Sequence, residues 1–472
     1  MTVLLLVGFA AAFAIALAAS RGDIMSPAST AAGGFLLSAL AFSLLAHSIK
    51  VELSGGAVGL LMVGLAAFLV GSIMASSGAM RQDVQQAVLA PEQSGFERVG
   101  VANLTKFGAL GYLVVMADIL ITVLLLVYVQ RLSGEAGLTE AISTYRTGIL
   151  ESSSAERRIP VWLQQAQKIT TAFSVCYLYL FIYRRVVAKL RGGYVFLIPT
   201  LFNWLQGIFL GGRLQIIRSV VLVVVVAQFL SYLHNKNFRV DWSLARKSIS
   251  WSLVRKLIRW VPAGVILFYG LRELIGRQST EGIGLYFARY IGGSIACLNT
   301  FLEGGSVVES RGWGVQTFRG VYDFLSRYVV QEDASFTLPW AVAPDGTAIG
   351  NVYTAFWRYY VDFGWAGVIL LSLITGILFG GAWKFLMGKV RSGSIPHLGI
   401  MIYGFVYYCV PLQAIESYFY ISAMSFNTVS QILMIAIAWV MVAPRRQTAR
   451  GAPTHLDVGK SSWRRQNRPP NH

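Results

Sequence analysis

Arginine is where the chemistry of this sequence concentrates. Gly211-Gly212-Arg213 makes a tight turn between two apolar runs, and Arg218 lies about one and a half turns into the second run. A guanidinium at that depth in hydrocarbon is costly unless it meets a partner or a wet cavity. Its planar fork matches phosphate oxygens two at a time, so Arg213 and Arg218 suit a phosphorylated headgroup at an interface. Snorkelling to ordinary lipid headgroups is the alternative, and it fits Arg213 better than the deeper Arg218.

A second group of cations lies in the long polar stretch 277–362: Arg277, Arg289, Arg311, Arg319, Arg327 and Arg358. An anionic substrate is the simplest reason for so many there, although they cannot all be ligands. Arg319, Asp323 and Arg327 recur every four residues, with Phe318, Val321, Leu325 and Val329 largely on another face. That spacing predicts an amphipathic helix that pairs its own charges and keeps Asp323 ionised. Gly284–Glu303 reads as an apolar helical segment interrupted at Gly292-Gly293, able to dip into a membrane where it lines a cavity. Glu303, at its end, is a candidate general base for a sugar hydroxyl, with Glu309 and Asp362 as competitors and a solvated helix-end carboxylate as the plain alternative. Trp340, Tyr353, Phe356, Trp357, Tyr359, Tyr360, Phe363 and Trp365 could line a groove for sugar rings or form an interfacial belt. Pro344-Asp345-Gly346 is a turn signal, with TLPWAVA before it as a candidate flap.

The elements that position these residues are membrane helices. The chain has 472 residues, 55% hydrophobic and only 13% charged, with a mean hydropathy of +0.58. Its repeated apolar runs are long enough to cross a bilayer. Candidate spans fall near 2–20, 30–47, 56–78, 108–130, 161–183, 194–210, 214–233, 257–276, 363–387, 398–412 and 424–443. The expected fold is an all-α polytopic membrane protein of about eleven transmembrane helices. Residues 1–276 form a transmembrane bundle, 277–362 a large outward loop, 363–443 the C-terminal helices, and 444–472 a disordered basic tail. The segment 241–256, in which Trp and Leu alternate with Arg and Lys, reads as an interfacial juxtamembrane helix.

The net charge of +18 comes from short loops and the tail, which sets topology and argues against nucleic acid as partner. Arg21, 79–107, 184–191, 234–256, 388–393 and the tail share one side, predicted to be cytoplasmic. Lys50, 131–160, Gly211–Arg213, 277–362 and a short turn around Glu416 share the other. The N-terminus is then periplasmic and the C-terminus cytoplasmic. Three scattered cysteines and five isolated histidines give no metal spacing, and neither a metal nor a cofactor is expected. Nor is there the internal repeat of many transporters.

The pattern Asn351-Val-Tyr353-Thr354, then Tyr360-Val-Asp362-Phe363-Gly364 running into an apolar span, resembles the O-antigen polymerase (Wzy) family. So do the turn ending at Arg213, the segment YIGGSIACLNTFLEG and the single large late loop, over roughly residues 190–440. The resemblance implies a polyprenyl-linked glycosyltransferase-like membrane fold in a bacterial inner membrane. It implies a metal-independent enzyme that joins oligosaccharide repeat units carried on undecaprenyl pyrophosphate at the periplasmic face, for O-antigen or exopolysaccharide, releasing the lipid pyrophosphate. A chain-length regulator and other export proteins are possible partners. Arg213, Arg218 and Arg289 would hold the pyrophosphate, with Arg311 and Arg358 as further substrate contacts. Glu303 or Asp362 would take the acceptor proton, and Asn351 and Tyr353 would position the glycan or brace the loop. O-antigen ligases are expected to use an outward histidine, and 277–362 contains none. A flippase or other transporter is the competing class, with Asp118 and Arg218 as the main charges within spans; a non-catalytic membrane subunit of an export system is a third.

Overall fold

The computed structural model describes residues 1–77, 107–151, 159–234, 266, 269–270, 272, 281–305, 313–325, 338, 340–392 and 394–443. The expected span at 257–276, the segment 241–256, the tail, and Arg277, Glu309, Arg311 and Arg327 lie outside these residues or almost wholly so. The described chain is overwhelmingly helical. Six helices are long and apolar enough to cross a membrane: Thr2–Ala19 (α1), Pro27–Ile49 (α2), Gly55–Ser77 (α3), Ala109–Ser133 (α4), Leu214–His234 over its first 19 residues, and Ala355–Arg391.

The remaining expected spans differ from that pattern for local reasons. Val161–Val186 is a continuous helix, but Gln164, Gln165, Gln167 and Lys168 occupy its first third, and its middle is buried among neighbours rather than in lipid. The 194–210 run is a single 3-10 turn followed by a 12-residue helix, because Pro199 favours a helix start. The 398–412 run is helical only over His397–Val406 before breaking into 3-10 turns at Tyr407–Cys409 and Pro411–Ala414. In chain order the further helices are Leu138–Glu151 (α5), Val161–Val186 (α6), Ile198–Phe209 (α7), Leu214–His234 (α8), Ile283–Thr300 (α9), Arg319–Leu325 (α10), Ala355–Arg391 (α11), His397–Val406 (α12) and Phe426–Val442 (α13).

Asp23, between α1 and α2, meets Tyr232 near the end of α8 and Arg391 at the end of α11. At the other end, the Lys50–Ser54 connection is tied to α9: Asn299 donates to the Glu52 carbonyl (2.8 Å) and accepts from the Ser54 amide (2.7 Å). Burial raises the Asp23 pKa from 3.8 to about 6, opposed by the Met25 amide and by Arg391. A carboxyl whose pKa is raised by folding favours the protonated form, so its cost is full above the folded value and is relieved as pH falls toward the unfolded one. Thermal unfolding is expected to shift upward between about pH 7 and about pH 4, and Asp23→Asn is expected to flatten that dependence.

α9 passes unbroken through Gly292-Gly293, contrary to the expected interruption. The glycines serve close approach instead. A Cβ on Gly292 would sit 2.3 Å from the Phe42 amide nitrogen of α2, and beside it Ser38 donates to the Ile291 carbonyl (2.8 Å). Gly292→Ala must push two helix backbones apart. It is expected to destabilise the protein by about 1–3 kcal/mol, the range for overpacking a filled core, as read by unfolding in detergent.

α11 is two arms. Gly364 adopts φ 61°, ψ −153°, a conformation open to glycine, and the arms fold together so closely that a Cβ on Gly367 would lie 2.6 Å from the Tyr359 carbonyl oxygen. The long arm runs beside α3. The short arm, 355–363, enters the bundle, where Phe356 stacks on Phe35 (5.0 Å between rings). The expected turn at Pro344-Asp345-Gly346 closes a hairpin of strands Ala341–Val342 (β1) and Ala348–Gly350 (β2), with the Thr347 amide donating to Asp345.

 The hairpin packs on α9 with Ala341, Ala343 and Ile349 buried, so residues 340–343 of the candidate flap 337–343 belong to a packed hairpin, while Thr337 and Pro339 lie outside the described residues. Among the described residues this hairpin is the one β element.

Candidate active site

The site sits where two interruptions of helix, the α7–α8 turn and the stretch 407–425, meet the first half of α9. The stretch 407–425 was expected to be two spans and a short turn. Instead, Pro411, which has no amide proton, lies within 3-10 turns, and a π-turn at Phe419–Ala423 follows. Regular helix resumes at Ser425, whose hydroxyl accepts from the Thr428 amide (3.2 Å). The break lies well inside the bundle. Tyr407 donates to the Met25 carbonyl (2.6 Å), and the Pro411 carbonyl packs on Gly34, about 10 Å along α2 from Pro27 at 1.5 Å per residue. Irregular backbone at such depth persists only when protein covers it or a cavity needs it. Both hold here. Tyr407, Tyr408, Cys409, Val410, Ala414 and Ser417 are buried, and Leu412 and Ile415 line a cavity of about 130 Å³.

The Gly211–Arg213 turn, Leu214, Ile217, Tyr290 and Tyr418 complete that cavity. Gly211 has φ 71°, which lets the chain reverse between two helices within the four residues 210–213. Arg213 is buried and donates to the Tyr286 hydroxyl (2.8 Å). Arg218, next in sequence to the cavity-lining Ile217, donates to Tyr408 and to Ser422 (2.9 Å), and its guanidinium lies 4.3 Å from the centre of the Tyr408 ring. Tyr418 joins the two places, since it lines the cavity and its ring lies 5.8 Å from that of Tyr408.

The structure sorts the arginines singled out from sequence. Arg358 is 2% exposed and its donors are taken up inside the protein: Nε and Nη2 reach the two oxygens of Glu416 (2.9 and 3.2 Å), and Nη1 reaches Gln316. Arg289, half-buried, pairs with Glu281 and donates to the Ala348 carbonyl, so it anchors the β-hairpin to α9. Arg319 and Asp323 form the expected i, i+4 pair at 3.9 Å, and burial, followed by the neighbouring Arg358 cation, lowers the Arg319 pKa. Arg218 differs. Its hydrogen-bond partners are neutral hydroxyls, and among the described residues it forms no ion pair. It is the cation of this group whose charge is left for something else to meet.

The other expected site residues separate. Asp362 accepts from the Gln316 and Thr317 amides (3.3 and 2.6 Å), which ties down the end of the loop segment 313–318 just before α10. Through Gln316, Arg358 and Glu416 it is connected to the stretch that walls the cavity. Glu303 is exposed in the turn after α9, while Tyr286 and Tyr290 lie in that helix's first half. The 14 residues from Tyr286 to Thr300 put roughly 20 Å of helix between the Arg213 contact and Glu303. The two are not brought together. Tyr353 is fully buried and stacks on Trp357 (4.5 Å between rings), so it braces the loop; Asn351 stands next to it, half-buried. Phe356, Trp357 and Tyr359 are likewise core, neither a sugar groove nor an interfacial belt.

Sequence reasoning passed over Tyr290, Tyr408, Tyr418, Ser422 and the pairing of Glu416. Their signal was present, in a proline and an acid set among tyrosines inside apolar runs, where unbroken spans predict neither. No family model, curated protein or solved structure was found that matches this chain. The arrangement can therefore be read only by its chemistry: a small cavity, reached by a broken-helix segment, that presents guanidinium and phenol donors to an anion at membrane depth.

Proposed function

We propose that this chain is a polymerase of lipid-linked oligosaccharides, acting at the outer face of a bacterial inner membrane. The carrying observation is Arg218, a half-buried cation with neutral partners beside a cavity that holds Arg213. A lipid pyrophosphate brings an anion to membrane depth on an apolar tail, and the fork of arginine fits its oxygens. In the reaction, a hydroxyl of the acceptor unit attacks the anomeric carbon of the chain on its carrier. The bond from that carbon to the pyrophosphate oxygen breaks, and the hydroxyl proton passes to a base or to the departing phosphate. Arg213 and Arg218 stabilise the charge that develops on the leaving group, commonly the largest electrostatic contribution to such a step. Arg289 and Arg358 support the site by holding the hairpin and the short arm of α11 in place.

The positive-inside bias places Asp23 and Arg391 on the cytoplasmic side and 277–362 in the periplasm. A carrier that moves a charged lipid is the second reading, favoured by one observation, the buried carboxylate of Asp118 within α4. Purified protein in detergent, given a lipid-linked repeat unit without nucleotide sugar or metal, separates the two. A ladder of products supports the polymerase. Well-folded protein that makes none, where a control polymerase succeeds, sinks it in favour of transport.

A further inference from the structure

Arg218, Tyr408 and Ser422 stand at the corners of a triangle whose protons can be followed one by one. Arg218 donates through Nη2 to both oxygens, the Tyr408 hydroxyl and Ser422 Oγ (2.9 Å to the latter). That spends both Nη2 protons. The Tyr408 hydroxyl donates in turn to Ser422 Oγ (3.0 Å), which spends its only proton. Ser422 Oγ thus accepts twice, filling its two lone pairs, and the proton left over is its own.

That proton has no acceptor among the described residues. Other serines close by turn theirs back onto the chain, Ser219 onto the Gln215 carbonyl (2.9 Å) and Ser425 onto the Ser422 carbonyl (2.6 Å). Ser422 belongs instead to the π-turn Phe419–Ala423, an irregularity of a kind that often accompanies functional sites, and it is half-buried. Its place is the edge of the cavity. It follows the cavity-lining Tyr418 by four residues, about one helical turn, and the Tyr408 ring that supports it lies 5.8 Å from the Tyr418 ring.

A hydroxyl with both lone pairs taken can only donate, so the ligand atom that meets it must be an acceptor. The chain from guanidinium to phenol to serine polarises each bond in turn, which makes the last donor a strong one. Among the acceptors on a lipid-linked sugar, the phosphate oxygens carry charge and form the stronger bond. We propose that Ser422 is a substrate-binding residue whose hydroxyl donates to a phosphate oxygen of the lipid diphosphate. Tyr408 is the positioning residue that holds it, and Arg218 supplies the charge behind both. The inference rests on the polymerase reading for the identity of that diphosphate, but its test needs no turnover.

The test uses the full chain in detergent, with binding of geranyl diphosphate measured by calorimetry beside ladder formation. Ser422→Ala is expected to weaken binding about tenfold or more, the loss that follows removal of a hydrogen bond to a charged group. Ser422→Thr keeps the hydroxyl and should recover most of the affinity. Ser422→Cys keeps the size of serine but donates weakly, so it should bind as poorly as the alanine variant, and it carries the test if that variant does not fold. An alanine or cysteine variant that binds like the parent overturns the proposal. So does a threonine variant as weak as the alanine one. A parent that binds geranyl diphosphate without making a ladder sinks the polymerase reading and leaves this site standing, whereas a parent that binds none sinks the site.

Discussion

Arg218→Ala is expected to cut ladder formation by about 10²–10³, the loss typical when one preorganised charge donor is removed from a transition state. The loss should fall on kcat more than on KM, because charge on the departing pyrophosphate builds up as the bond breaks. Arg218→Lys keeps the charge but not the two-pronged geometry, so it should recover only part of the rate. Folding should survive both changes. The hydroxyls of Tyr408 and Ser422 still bond to each other at 3.0 Å once the guanidinium is gone, and no carboxylate is stranded among the described residues. An alanine variant that unfolds like the parent and still makes a full ladder would remove the observation on which the polymerase reading rests. Binding of a soluble pyrophosphate ester, measured alongside, separates a binding defect from a chemical one.

How much of this was legible in advance depends on what each residue needs. The long apolar helices were, because a span must be apolar along its length and α1 to α4 are. The grouping of the α1–α2 connection with the ends of α8 and α11 was legible as well: Asp23, Tyr232 and Arg391 meet. Arg218 could be singled out because a guanidinium inside an apolar run is expensive wherever it points. What failed to show were partners distant in sequence. Arg358 looks like a substrate ligand until Glu416, 58 residues away, is placed against it. Glu303 looks like a base for a sugar hydroxyl held beside Arg213 until the length of α9 separates the two residues. The glycines at 292 and 293 read as a break because glycine lowers helix propensity, yet tertiary packing against Phe42 decides the matter. Tyrosine density around 353–360 was visible, but a belt, a groove and a core share that composition, and only burial distinguishes them.

The buried Arg358–Glu416 pair should give the largest stability effect in the molecule. Glu416→Gln leaves the Arg358 guanidinium, 2% exposed, without its counter-charge, and removing one partner of a buried pair costs about 3–5 kcal/mol. Arg358→Met strands the Glu416 carboxylate in the same way, although the Ser417 amide at 2.9 Å offsets part of the cost. Arg358→Met with Glu416→Leu removes both desolvation penalties, and such double replacements are often neutral or stabilising, so it should unfold nearer the parent than either single variant. The activity of that double variant carries the structural argument further. The pair fastens the short arm of α11 to the irregular stretch that bears Tyr408, Tyr418 and Ser422, and it also holds Gln316. If a directed ion pair is needed to fix that stretch, the apolar variant should be stable and still slow, with Arg218 losing its orienting hydroxyls. If it is both stable and fully active, packing alone positions the site, and the ion pair is a feature of the fold rather than of the chemistry.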